Sequence, residues 1–160
     1  MRIGRALKES GVPFSFETEP QKQAFVWPRI IVQRPGPSFV HPATQVSVRE
    51  TLEAIGPIGV YGLKSVELSR QPELDGAGSG LLARYIAPDR IVLFEQQLPP
   101  WHYVGRLSDS IKAHFERSGA EVRWSSEASA TTVDWPGDTL ASFLLVEGLL
   151  HEIGHHIKQH

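Results

Sequence analysis

The chain has 160 residues, enough for one domain with a proper core and too few for two. Hydrophobic residues make up 41% and charged residues 21%, and the formal net charge is −2, so no electrostatic argument favours nucleic acid or an anionic membrane as a partner. The absence of cysteine excludes disulfides and thiolate metal sites, and leaves imidazole, carboxylate or water to hold any metal.

Basic residues open the chain, but Lys8, Glu9 and Ser10 interrupt before a signal-peptide core can form. The longest apolar stretch, 143–150, is broken by Glu147 and is too short to span a bilayer, so a cytoplasmic address is the default expectation. Residues 1–43 are expected to be irregular, because prolines recur at Pro13, Pro20, Pro28, Pro35, Pro37 and Pro42. Within them, 24–32 suits an edge or bulged strand around Pro28. A short helix should follow, capped by Thr44 or Ser47, with Val48, Leu52 and Ile55 on one face and Gly56-Pro57 as its stop.

Residues 60–68 alternate loosely, as in a strand. The runs 81–86 and 90–95 flank Ala87-Pro88-Asp89 and predict a hairpin. Before it, Asp75-Gly76-Ala77-Gly78-Ser79-Gly80 reads as a loop; it lacks the lysine of a phosphate-binding loop, and no helix opens after it. Past Pro99-Pro100, a helix is expected over 105–117, with Leu107, Ile111 and Phe115 as its stripe and Gly119 beyond its end. Residues 121–124 and 131–135 suit short strands. A last helix, capped by Asp138 or Thr139, should then run to the final residue.

That helix carries His151-Glu152-Ile153-Gly154-His155. At about 100° per residue, the two histidines lie about 40° apart, one turn from each other, so both imidazoles can reach one tetrahedral ion. Glu152 sits about 100° round from His151, awkward for ligation but suited to a water on the open side of the ion. Such an ion would acidify and polarise that water, and the carboxylate would take its proton and pass it to a leaving amine. On the same wheel Phe143, Val146, Leu150, Ile153 and Ile157 form the core-facing stripe, and Leu140 and Leu144 bury the N-terminal half all round. Glu147, one turn before His151, is either an acceptor orienting an imidazole or a carboxylate at the rim.

The motif resembles that of the zincin superfamily of metallopeptidases, and is most similar to small single-domain zincin-like proteins sometimes grouped as minigluzincins. The similarity runs from about Gly59 to His156 and takes in Val60-Tyr61-Gly62, Asp89-Arg90-Ile91-Val92-Leu93-Phe94 and Leu149-Leu150-His151-Glu152-Ile153-Gly154-His155-His156. The last block is the specific one. The resemblance implies an α+β fold: a small zincin-like domain in which a twisted, mostly antiparallel sheet packs on a long active-site helix. It further implies Zn2+ as cofactor, His151 and His155 as metal ligands, Glu152 as the catalytic carboxylate, and a peptide or protein substrate. The strand at 90–95 would edge the cleft and take an extended peptide by strand addition.

Zincins also need a third protein ligand, usually downstream of the second histidine, and this chain runs only five residues past His155. The leading expectation is that the natural protein continues and supplies the ligand there. Among the histidines present, His102 sits between Trp101 and Tyr103 in an expected loop that could overhang the cleft. His160 lies about 140° round from His155 on a continuing helix. His114 borders an apolar stripe, His41 lies far upstream, and His156 suits a border position beside the core. Three functions therefore compete: a zinc-dependent metallopeptidase, a zincin-like binding or regulatory scaffold with an incomplete site, and an α+β interaction module. In the last, the motif is accidental and Phe25, Trp27, Arg29 and Arg34 form the partner surface, although packing beside an edge strand accounts for them more simply. The sequence does not specify substrate or oligomeric state.

Overall fold

Thr44 begins the first helix as its residue type predicts. Its hydroxyl accepts from the Ser47 N–H at 3.1 Å while Ser47 Oγ accepts from the Thr44 N–H at 2.9 Å, so two otherwise orphaned amides are satisfied reciprocally. The helix, α1 (Gln45–Ile55), buries Val48 and Leu52 and stops at Gly56, whose φ of 85° suits glycine. It joins β1 (Arg29–Val32) to the parallel strand β3 (Ser65–Ser69), supplying the crossover that a parallel pair requires. These elements belong to a computed structural model that describes residues 25–72 and 80–159. Most of the glycine-rich loop, His160 and the first 24 residues lie outside the described residues.

The principal sheet has the order β1-β3-β5-β4, with β4 (Ala83–Ile86) and β5 (Arg90–Phe94) forming the predicted hairpin. Strands β1, β3 and β5 are parallel, in the register Ile30↔Val66↔Ile91, and only β4 runs antiparallel. The fold is thus mixed α+β, but the sheet behind the last helix is not mostly antiparallel as expected. Two strand connections through helix or loop make it mainly parallel, and pairing of that kind is non-local and leaves no period in the sequence. The strand predicted over 60–68 is shorter than expected, since 57–62 form turns.

A short pair, β2 (Phe39–Val40) with β6 (Gln96–Gln97), follows the sheet. Beyond it β7 (Trp101–Val104), β8 (Glu121–Ser125) and β9 (Ala130–Asp134) make an antiparallel sheet ordered β7-β9-β8, with α2 (Asp109–Arg117) packed against β8. Residues 101–104 were expected to be loop after two prolines; pairing with β9 makes them a strand. The helix predicted from 105 starts at Asp109, where Ser108 accepts from the Ile111 N–H.

The chain closes with one continuous helical run: α3 (Thr139–Phe143), a π-helical stretch (Leu144–Leu150) and α4 (His151–Gln159). Its inner face meets β4 and β5. The main core gathers Val48, Leu52, Val66, Leu68, Ile91, Leu93, Leu144, Leu149 and Ile153, and an aromatic cluster around Trp101, Phe115, Trp135 and Phe143 lies under the second sheet, with Leu82 touching both. No helix among the described residues is long and apolar enough to cross a membrane.

The two edges of the principal sheet differ. In β1 the amides of Arg29 and Gln33 donate inward to Lys64 O and Leu68 O, so the carbonyls of Pro28 and Ile30 face outward. Arg49 Nη2 donates to the first at 3.2 Å and Gln45 Nε2 to the second at 3.1 Å, so α1 covers that edge. At the other edge Phe94 N–H donates to Leu82 O, which sets Leu82, Arg84 and Ile86 toward β5 and turns the backbone of Ala83 and Tyr85 outward.

Candidate metal centre

The last helix departs from the wheel on which the sequence argument rests. In the π-helical stretch the backbone ladder widens to i→i+5, so each residue advances by less than 100°. The buried face becomes Leu140, Phe143, Leu144, Gly148, Leu149, Ile153 and His156. Val146 (53% exposed), Leu150 (41%) and Ile157 (52%), three of the five residues expected in the core stripe, face outward. Beyond Leu150 the helix is regular, so the local spacing of the motif is unaffected.

In α4 His151 and His155 are exposed side by side, with ring centroids 4.8 Å apart and Nε2 atoms separated by 3.1 Å. An ion about 2.0–2.1 Å from each nitrogen would see them at an angle of roughly 100°, close to the tetrahedral value. The two imidazoles therefore fit one zinc ion as a pair.

Glu152 is half-buried and turned toward the sheet. Its Oε2 accepts the outward amide of Tyr85 in β4 at 2.8 Å. That contact fixes the carboxylate beside the open strand edge and leaves Oε1 without a second protein donor among the hydrogen bonds of the described residues. The Tyr85 phenol donates to Pro88 O at 2.5 Å and lies 3.4 Å from His156 Nδ1. His156, expected at the border of the core, is 1% exposed, and its Nε2 donates to Tyr61 O at 2.8 Å.

The strand at 90–95 does not edge this cleft. β5 is hydrogen-bonded on both sides, to β3 and to β4, and from Ile91 to Phe94 it is buried. Glu95 just past it is buried too, and its carboxylate accepts the amides of Gly36 (2.6 Å) and Gln71 (3.2 Å). The sheet edge beside the motif helix belongs to β4, a strand the sequence identified without giving it this position.

No group of three or more His, Asp or Glu side chains able to hold a metal ion occurs among the described residues. His102 stands on β7, its Nδ1 3.5 Å from Thr132 Oγ1, and His41 Nε2 donates to Gln33 O at 2.7 Å. Glu147 lies 4.0 Å from His114 Nε2, so the imidazole it faces is on α2 and is not one of the motif's.

Two contributors escaped the sequence reading. One is the Tyr85 amide, a backbone group visible only once the strand order is known. The other is Gly148, four residues before Glu152 and buried in a run that is apolar apart from Glu147; that position was a usable sign of close helix–strand approach. Comparison of the chain with protein-family models, with curated proteins and with solved structures returned no match.

Proposed function

We propose that the chain is a zinc-dependent hydrolase of the metallopeptidase kind, acting on peptide bonds, with His151 and His155 holding the ion and Glu152 as general base. The observation that carries this reading is the convergence of the two Nε2 atoms to 3.1 Å on an exposed helix face, one residue from a carboxylate held at a strand edge. When bound, zinc supplies Lewis-acid polarisation of a carbonyl and lowers the pKa of water toward neutrality.

The chain's own residues would do the rest. Glu152 Oε1 takes a proton from the attacking water and returns it to the departing amine, while Oε2 stays on the Tyr85 amide. An extended peptide has a natural seat along β4, where the outward Ala83 N–H and C=O and the Tyr85 C=O lie beside the amide that Glu152 holds; the opposite edge of the sheet is covered by Gln45 and Arg49. Glu152→Gln is expected to keep its zinc and lose turnover of an unfolded protein by about 10²–10⁴-fold, the usual contribution of a positioned base. Metal analysis and a peptide-release assay on the same sample check this; undiminished turnover would remove the base from the mechanism.

A second reading, a zincin-like binding or regulatory scaffold, is favoured by one observation: no third ligand accompanies the two histidines among the described residues. Calorimetric titration of zinc into the 160-residue chain separates the two. Micromolar or weaker affinity without hydrolysis of unfolded protein is the scaffold's signature, since a two-imidazole site forfeits both charge and chelation. Tighter, stoichiometric binding with chelator-sensitive hydrolysis is the enzyme's.

A further inference from the structure

Three residues one turn apart on the last helix, Gly148, Glu152 and His156, meet the same short strand. A Cβ built on Gly148 lies 3.3 Å from the Ala83 Cβ, 3.4 Å from Leu144 Cδ1 and 3.7 Å from the Leu82 Cβ. Glu152 Oε2 takes the Tyr85 amide at 2.8 Å, and His156 Nδ1 stands 3.4 Å from the Tyr85 phenol. Gly148 lies inside the π-helical stretch and His156 in the regular helix, so the track begins where the helix changes period. A side chain at 148 would have to displace either the strand or the helix by a few tenths of an ångström. A hydrogen bond between a carboxylate and an amide one turn away is sensitive to that scale.

We infer that Gly148 and His156 are positioning residues that set the height of the motif helix over β4 and thereby hold the Glu152 carboxylate at the open strand edge. Gly148 sets the distance of closest approach. His156 ties the far end of the same track to the turn at Tyr61, donating from Nε2 to Tyr61 O, and packs its ring edge-on against the Tyr85 ring at 5.7 Å between centroids. Neither residue touches substrate or metal in this scheme; both act through Glu152. The π-helical stretch turns Gly148 inward, against Ala83, while leaving the following histidines in ordinary helical spacing. That Glu152 is a base rests on the metallopeptidase reading; that it is held by this track does not.

The test is amide hydrogen exchange on the isotopically labelled full chain without metal, read at Tyr85, with the inward-facing amide of Val92 as internal reference. Glu152→Ala should speed Tyr85 exchange by about tenfold relative to Val92, which shows that the carboxylate protects it. Gly148→Ala should speed it by about threefold or more, and the methyl swap Gly148→Ala/Ala83→Gly should return it to within about twofold of the parent. Ala83→Val, which presses on the same contact from the strand side, should act like Gly148→Ala and covers the case in which that variant does not fold. Unchanged Tyr85 exchange in both single variants, or an increase that the swap does not reverse, would overturn the inference. In zinc-loaded protein the same variants should lower kcat with KM little changed. If the parent hydrolyses nothing, the metallopeptidase reading fails while the exchange result still decides the positioning.

Discussion

Gly154 occupies an ordinary helical position between His151 and His155, and a Cβ added there meets no atom within 4 Å. Glycine in a helix interior costs about 0.5–1 kcal/mol relative to alanine through the extra freedom of the unfolded chain. Gly154→Ala should therefore stabilise the protein by that amount, seen as a rise of a few degrees in Tm by calorimetry. Gly119 behaves oppositely, since its φ is 93° and a Cβ would lie 2.7 Å from Thr139 Cγ2. A titrating residue gives a second measurable consequence. Burial in the second sheet raises the Tyr103 phenol above its ordinary pKa of 10.0. The folded protein then binds this proton more tightly than the unfolded chain, so the contribution is complete below about pH 10 and is lost as pH rises through the folded value. Denaturant midpoints measured from pH 9 upward should fall more steeply for the parent than for Tyr103→Phe; parallel curves would show that the phenol contributes nothing.

At the scale of elements, what was legible depended on whether the signal was local. α1 could be read because Thr44, Ser47, Val48, Leu52 and Gly56 each do in the structure what their residue type favours. The β4–β5 hairpin could be read from its turn, and the spacing of His151 and His155 from four residues of regular helix. The core stripe of the last helix could not, because widening the ladder over Leu144–Leu150 shifts every later residue relative to the earlier ones, and composition gives no sign of it. The role of β5 was misassigned for a different reason: whether a strand is central or at an edge depends on partners far away in the chain, and its apolar run Ile91 to Phe94 is in hindsight what a strand covered on both faces requires. β7 was missed because its pairing with β9 outweighs the two prolines before it.

Taken whole, the molecule places an edge strand, a half-buried carboxylate and two convergent imidazoles at one side of a mixed sheet, and shields the other side with α1. Shielding matters because β1 carries two outward apolar residues, Ile31 (45% exposed) and Val32 (50% exposed). A short apolar strand with unpaired carbonyls is a template for a second copy. Among the described residues, the side chains that hydrogen-bond its outward carbonyls are Gln45 and Arg49. Gln45→Ala/Arg49→Ala should uncover that edge, and sedimentation velocity across a concentration series should then show more association than the parent does.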